Sequence, residues 1–240
     1  MENEVVRVMY WDSTGDWRLT YYSDLSNKDE SKLTKVEKSE RDLDRLEKHL
    51  TYELLKSTSN NKILDIGCGV GRQILEFSER YPSKIFVGVD ISKYQIELLT
   101  KIITENQIQN VKGITMDAAE ISDIREKFDV ITFFNNSFGC MSSRQQIRCL
   151  NSFDKILAPR GFLLVSCFDC MELIEEAYKE WQLPPVSIDY SKGIVNLGEY
   201  KSNWKCADII IPYFEKHSEI YCSYKEQAGL GTVYIFQRGG

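Results

Sequence analysis

The sequence predicts an α/β fold, a mostly parallel sheet of seven strands with helices on both faces and an antiparallel strand pair at its C-terminal end. Three observations point there. Short apolar runs alternate with helical patterns from Ile63 to Trp181, as a parallel sheet requires. The first run enters its helix through glycines at alternate positions, Gly67, Gly69 and Gly71. The last two strand-like runs are joined by Gln227-Ala228-Gly229-Leu230-Gly231, a hairpin signal.

Two parts are expected, residues 1–40 and a domain over 41–240. Residues 4–24 hold Tyr10, Trp11, Trp17, Tyr21 and Tyr22, too aromatic for a disordered tail. Residues 26–41 alternate charge signs and read as a solvated linker or helix face. Leu43, Leu46, Leu50 and Leu54 form a helical stripe over 41–56, placed on the sheet just ahead of the first strand. Strands follow at 63–66, 85–90, 111–117, 128–135 and 162–167. Ser92 caps the helix carrying Ile96, Leu99 and Ile103, and Ser142 or Ser143 caps the one carrying Ile147, Leu150 and Leu157. Ala158-Pro159-Arg160-Gly161 reads as the turn that stops that helix. A further helix runs from about Met171 to Trp181. After Pro184-Pro185 the pattern changes, and residues 184–204 read as a polar, strand-like insertion. Residues 207–214 look helical, with Pro212 expected to kink or shorten the helix. Strands at 220–225 and 233–237 close the chain.

Composition bounds the class. The chain has 240 residues, 42% hydrophobic and 28% charged, ordinary for a soluble globular protein. No run of 18 apolar residues suggests a membrane span, and the acidic start lacks a signal-peptide core, so the cytoplasm is the expected compartment. The net charge is −6, without the basic stripe that phosphate neutralisation calls for, which tilts the partner away from nucleic acid. Seven cysteines in such a chain read as free thiols. Cys167-x-x-Cys170 has no second half to complete a metal set, and no metal is expected. His49 and His217 fall on predicted helices away from strand ends, as surface or satisfied helix residues.

The chemistry sits at Lys62 to Gln73, K-I-L-D-I-G-C-G-V-G-R-Q. Glycines at a strand-to-helix junction let the backbone approach a ligand where a Cβ would clash, and the helix start behind them offers unpaired N–H groups. A dinucleotide fingerprint needs G-x-G-x-x-G. Here the third glycine comes one position early, and Asp65 lies inside the strand end. D-x-G-x-G-x-G resembles the signature loop of class I S-adenosylmethionine-dependent methyltransferases. The resemblance covers about residues 40–238 and implies a Rossmann-like seven-stranded sheet, with residues 184–204 and the N-terminal segment outside the shared core. It implies that Asp65, Gly67, Cys68, Gly69 and Gly71 wrap the methionine part of the cofactor. Asp90, at the end of the second strand, would accept hydrogen bonds from both ribose hydroxyls. Asp117 and the Ala118 N–H would contact the adenine, between Ile91 and Met116. Asn135 and Asn136 would face the transferring methyl, where Asn136-Ser137-Phe138 is similar to the stretch of glycine- and sarcosine-type N-methyltransferases. A capping Asn and a packed Phe is the competing reading.

Methyl transfer needs mainly an in-line approach of nucleophile and methyl, with a general base only if the nucleophile arrives protonated. Asn135 and Asn136 are candidates to orient it, as are Tyr21 and Tyr22 in a segment expected to close as a lid. The expected acceptor is a small molecule, with an amine favoured and a hydroxyl open. Two other classes stand beside this one. A nicotinamide-dependent oxidoreductase is opposed by the glycine spacing and Asp65. A non-catalytic cofactor-binding partner is opposed by the intact loop together with Asp90.

Overall fold

The computed structural model describes residues 24–57, 62–198 and 200–240. The aromatic N-terminal residues, with Tyr21 and Tyr22, lie outside the described residues. The central sheet has seven strands in the order β3-β2-β1-β4-β5-β10-β9. Its strands are β1 (Lys62–Ile66), β2 (Ile85–Asp90), β3 (Val111–Thr115), β4 (Phe128–Phe133), β5 (Leu157–Phe168), β9 (Ile220–Ala228) and β10 (Gly231–Arg238). The first five are parallel and β10 is antiparallel to β5 and β9, so the expected fold class is found. Helices α1 (Lys35–Ser57), α2 (Arg72–Arg80), α3 (Lys93–Glu105), α4 (Ser143–Ile156), α5 (Ile174–Glu180) and α6 (Ala207–His217) cover the faces.

Alternation along the strands divides the core. Leu64 and Ile66 of β1 join Phe133, Phe153, Leu163 and Phe214 on the side of α4 and α6. Ile63 faces the other way, with Phe86, Val130, Leu164 and Leu43, Leu46 and Leu50 of α1. Asp65 lies between Leu64 and Ile66 and therefore points to the α1 side. Period two alone forces this.

Several boundaries differ from the sequence expectation, each for a local reason. Helix α1 starts at Lys35 rather than Arg41 because Thr34 and Glu37 close a capping box. The Glu37 N–H donates to Thr34 Oγ1 at 3.0 Å, and the Thr34 N–H donates to Glu37 Oε2 at 3.0 Å. Residues 35–41 of the charge-alternating segment are thus the first turns of the helix. The turn read at 158–161 lies inside β5, which pairs Leu157 with Phe128 and then shifts register. Arg160 takes φ 61° to absorb that irregularity. Strands β3 and β4 each end two residues short of expectation. Pro212 lies inside α6, which continues to His217.

The insertion is a small antiparallel sheet of β6 (Ser187–Asp189), β7 (Ile194–Asn196) and β8 (Lys201–Asn203). Trp204 anchors it and is fully buried. Its ring lies 5.1 Å from Phe168 and 5.9 Å from Tyr178, and its Nε1 donates to the Tyr178 hydroxyl at 3.2 Å. Aromatic pairs at these separations add stabilisation beyond their buried area.

The hairpin between β9 and β10 seats on α1. Gly229 has φ 54°, and a Cβ there would fall 1.8 Å from the Ser39 carbonyl oxygen. The Leu230 N–H donates to that same oxygen at 3.3 Å. Gly229→Ala is therefore expected to cost about 1–3 kcal/mol, from overpacking and left-handed backbone together. Urea unfolding checks it, and an unchanged midpoint would show that α1 does not rest on this hairpin.

Candidate active site

The strand order reverses between β1 and β4, where an open α/β sheet binds its ligand beyond the carboxyl ends of the strands. The glycine loop lies there. Gly67, Gly69 and Gly71 take φ of 71°, 57° and 85°, left-handed values that favour glycine. The Gly67 and Cys68 N–H groups donate to the Val89 carbonyl at 2.8 and 3.1 Å, tying the loop to β2. A Cβ on Gly69 would meet Gln95 Oε1 of α3 at 2.6 Å. Cys68 is buried, and burial raises its thiol well above the usual range. It packs rather than reacts.

Asp90 closes the loop from the next strand. Its Oδ2 accepts the Gly69 N–H at 2.8 Å and its Oδ1 accepts the Ser92 N–H at 2.9 Å. Each carboxylate oxygen can accept more than one hydrogen bond. Ile91 follows directly, and the Met116 N–H donates to the Asp90 carbonyl at 2.8 Å, aligning the ends of β2 and β3. Asp117 caps a short 3-10 helix, accepting the Ala119 N–H on Oδ1 at 2.8 Å, while Gln145 Nε2 donates to its Oδ2 at 2.7 Å. Asp117 is thus a cap as well as the adenine candidate. Ala118 and Met116 pack partly buried against the core beside it.

Beneath the loop lies a group the sequence reading missed. Asp44 and Glu47 of α1 are buried with Asp65 and Gln73. Asp44 pairs with Arg72 and, at 3.2 Å, with Lys48. Gln73 Nε2 donates to Asp44 Oδ1 at 3.1 Å and to Glu47 Oε2 at 2.7 Å. Thr132 Oγ1 donates to Asp65 Oδ1 at 2.8 Å. Burial pushes the Asp65 carboxyl up to about 7, against the Thr132 hydrogen bond and Arg72. Burial also raises Glu47, helped by the Asp44 charge. At Asp44 the charges of Arg72 and Lys48 outweigh burial and hold the carboxyl below its ordinary value. A trace was present in the sequence. Glu40, Asp44, Glu47 and Thr51 are spaced by four, three and four, a polar file beside the leucine stripe.

Arg72 is the nearest fixed positive charge to this group. Arg72→Met removes it and leaves Asp44 with the Lys48 ion pair and the Gln73 hydrogen bond among the described residues. The expected loss is about 1–3 kcal/mol, below the range for a fully buried pair because the Arg72 side chain is 22% exposed. Thermal unfolding measures it.

At the exit of β4, Asn135 and Asn136 take φ of 53° and 55°, a conformation non-glycine residues adopt at a cost. Asn136 is buried. Its Oδ1 accepts the Phe168 N–H at 3.1 Å and its Nδ2 donates to Ser202 Oγ at 3.3 Å. It joins the ends of β4 and β5 to the insertion. Asn135 is half-buried, and its N–H donates to Glu47 Oε1 at 3.1 Å. Of the two candidates, Asn135 is the one at the strand end without a wholly internal position. Cys167 is buried and Cys170 half-buried, both as free thiols. Among the described residues, no group of His, Cys, Asp and Glu could hold a metal, and no helix is long and apolar enough to cross a membrane.

A glycine turn at the switch point, a carboxylate at the end of β2 and polar groups at the exit of β4 stand together at the carboxyl ends of an open sheet. Residues 57–208 match the methyltransferase-domain family, more than half of the chain. The chain belongs to that family and has the class I methyltransferase fold. Among curated relatives, it is 38% identical over 105 residues to an uncharacterized protein of Rickettsia prowazekii, covering 44% of this chain and 42% of that one. It is 30% identical over 129 residues to the malonyl-[acyl-carrier protein] O-methyltransferase of Priestia megaterium, 51% of this chain and 44% of that one. A tRNA (guanine-N(7)-)-methyltransferase of Clostridium acetobutylicum is 27% identical over 77 residues, 32% and 36% of the two chains. The chain thus spans less than half the length of these curated relatives. The fold is also that of the magnesium protoporphyrin IX methyltransferase of Synechocystis, with a TM-score of 0.65 at 11% identity over 97% of this chain and 100% of that one.

Proposed function

We propose that the protein transfers the methyl group of S-adenosylmethionine to a small molecule, with an amine nitrogen as the favoured acceptor. The observation that carries this reading is the exit of β4, where Asn135 is held in a left-handed turn beside the cofactor cradle. A side-chain carbonyl there can accept an amine N–H and leave the nitrogen lone pair toward the sulfonium methyl. Asp65, the glycine loop and Asp90 would hold methionine and ribose, and Ile91, Met116, Asp117 and Ala118 the adenine.

The net charge of −6 and the lack of a basic cluster longer than a pair support a small acceptor over RNA, because RNA binding rests on phosphate neutralisation. The tRNA-methylating relative makes RNA the competitor to test, and the O-methylating relative does the same for an oxygen acceptor. The assay is radiolabelled methyl transfer across amines, hydroxy compounds, RNA and protein extract. Labelling confined to RNA or protein overturns the small-molecule reading. Labelling of an oxygen on a small molecule overturns only the amine.

A further inference from the structure

Glu47 has no role in the cofactor contacts proposed above, yet it is 1% exposed and bound from three other elements. Its Oε1 accepts the Asn135 N–H at the β4 exit at 3.1 Å and the Ser166 hydroxyl of β5 at 2.6 Å. Its Oε2 accepts from Gln73 of α2 at 2.7 Å. Leu43, Leu46 and Leu50 flank it on α1 and are buried without any polar group. A residue needed only to fill this space would be another leucine, since a buried carboxylate is costly unless its partners are satisfied.

What the carboxylate holds is a backbone in the left-handed region. Asn135 and Asn136 are consecutive left-handed residues, and such conformations persist where the surroundings over-determine them. Asn136 is clamped through its own amide by Phe168 and Ser202. Asn135 is clamped through its backbone N–H by Glu47. The two clamps together fix the direction of the strand-end polar groups.

We propose that Glu47 is a positioning residue for methyl transfer, holding the Asn135 backbone so that the β4 exit presents its polar groups to the reacting nitrogen. This rests on the methyltransferase reading. Its test separates the two by using ligands that need no known acceptor. S-adenosylhomocysteine reports the cofactor site alone. Sinefungin, in which an amine-bearing carbon replaces the methylated sulfur, adds a nitrogen where the methyl would leave. Calorimetric affinities for both are measured for the full chain and for Glu47→Ala, Glu47→Gln, Asn135→Gly and the Glu47→Ala/Asn135→Gly double variant.

Glu47→Ala is expected to weaken sinefungin by about tenfold more than S-adenosylhomocysteine, the scale of one hydrogen bond to a charged group. Glu47→Gln keeps an acceptor for the Asn135 N–H and should restore most of that selectivity. Glycine adopts φ above zero unaided, so in the Asn135→Gly background the loss of Glu47 should leave the ratio nearly unchanged. Equal weakening of both ligands would overturn the proposal, because Glu47 would then act on the cofactor loop through Gln73. So would independent, multiplying effects of the two substitutions. If Glu47→Ala does not fold, Glu47→Asp keeps the charge but withdraws the oxygen from Asn135, and the same selective loss is expected. Failure of the unsubstituted chain to bind either ligand would instead refute the methyltransferase reading.

Discussion

Replacing Asp90 with alanine is expected to weaken S-adenosylhomocysteine binding by one to two decades while leaving the domain folded. Two charge-assisted hydrogen bonds to the ribose would be lost, about 1.5–3 kcal/mol. The structure adds a second contribution. Asp90 Oδ2 also accepts the Gly69 N–H, and Oδ1 accepts the Ser92 N–H, so the carboxylate holds the glycine loop before any ligand arrives. Without it the loop must be ordered at the moment of binding, and that ordering opposes affinity. Asp90→Asn separates the contributions. Its amide oxygen can accept one loop N–H but cannot accept hydrogen bonds with both arms, so an intermediate affinity is expected. Calorimetry on folded variants decides it, and an unchanged dissociation constant for Asp90→Ala would remove Asp90 from the cofactor site.

The second large effect concerns pH. Burial raises Asp65 to about 7, with the Thr132 hydrogen bond and Arg72 working against it and the charges of Glu47 and Asp90 adding to it. If the cofactor's ammonium lies near this carboxyl, binding favours the ionised form and releases a proton below pH 7. Affinity should then rise with pH by up to about tenfold per unit between pH 5 and 7 and level off above. The sign for stability is the opposite. Between about pH 4 and 7 the folded state binds a proton at Asp65 that the unfolded state has lost, so this group's contribution falls as pH rises through that window. Asp44 runs the other way, because its carboxyl is held low and its contribution is lost on acidification. Asp65→Asn should flatten the binding profile. An affinity with the same pH slope in wild type and variant would sink the assignment.

The glycine loop, the strands themselves and the antiparallel terminal pair were legible because each is encoded in consecutive residues. A strand needs its alternation, and a tight turn needs glycine where φ is positive, whatever the remainder of the chain does. Thr34 and Glu37 show a local signal that was present and unused, since their capping box sets the true start of α1. The three-stranded insertion was visible as polar and strand-like. Its seat was not, because Trp204 finds Phe168 and Tyr178 only after the chain folds back.

What the sequence determined by itself is the sheet, the loop and the acids at the ends of β2 and β3, all set by local backbone demands and two-residue alternation. The tertiary structure alone decided which groups lie beneath the loop. Glu47 meets Asn135 across 88 positions and Ser166 across 119, and no periodicity reaches that far. Its neighbours are fixed by α1 packing on the sheet face that Asp65 shares. A buried carboxylate there is tolerated only because Asn135, Ser166 and Gln73 arrive together to satisfy it. That meeting is a property of the packed fold, and it is what turns an acidic position on a leucine stripe into part of a candidate active site.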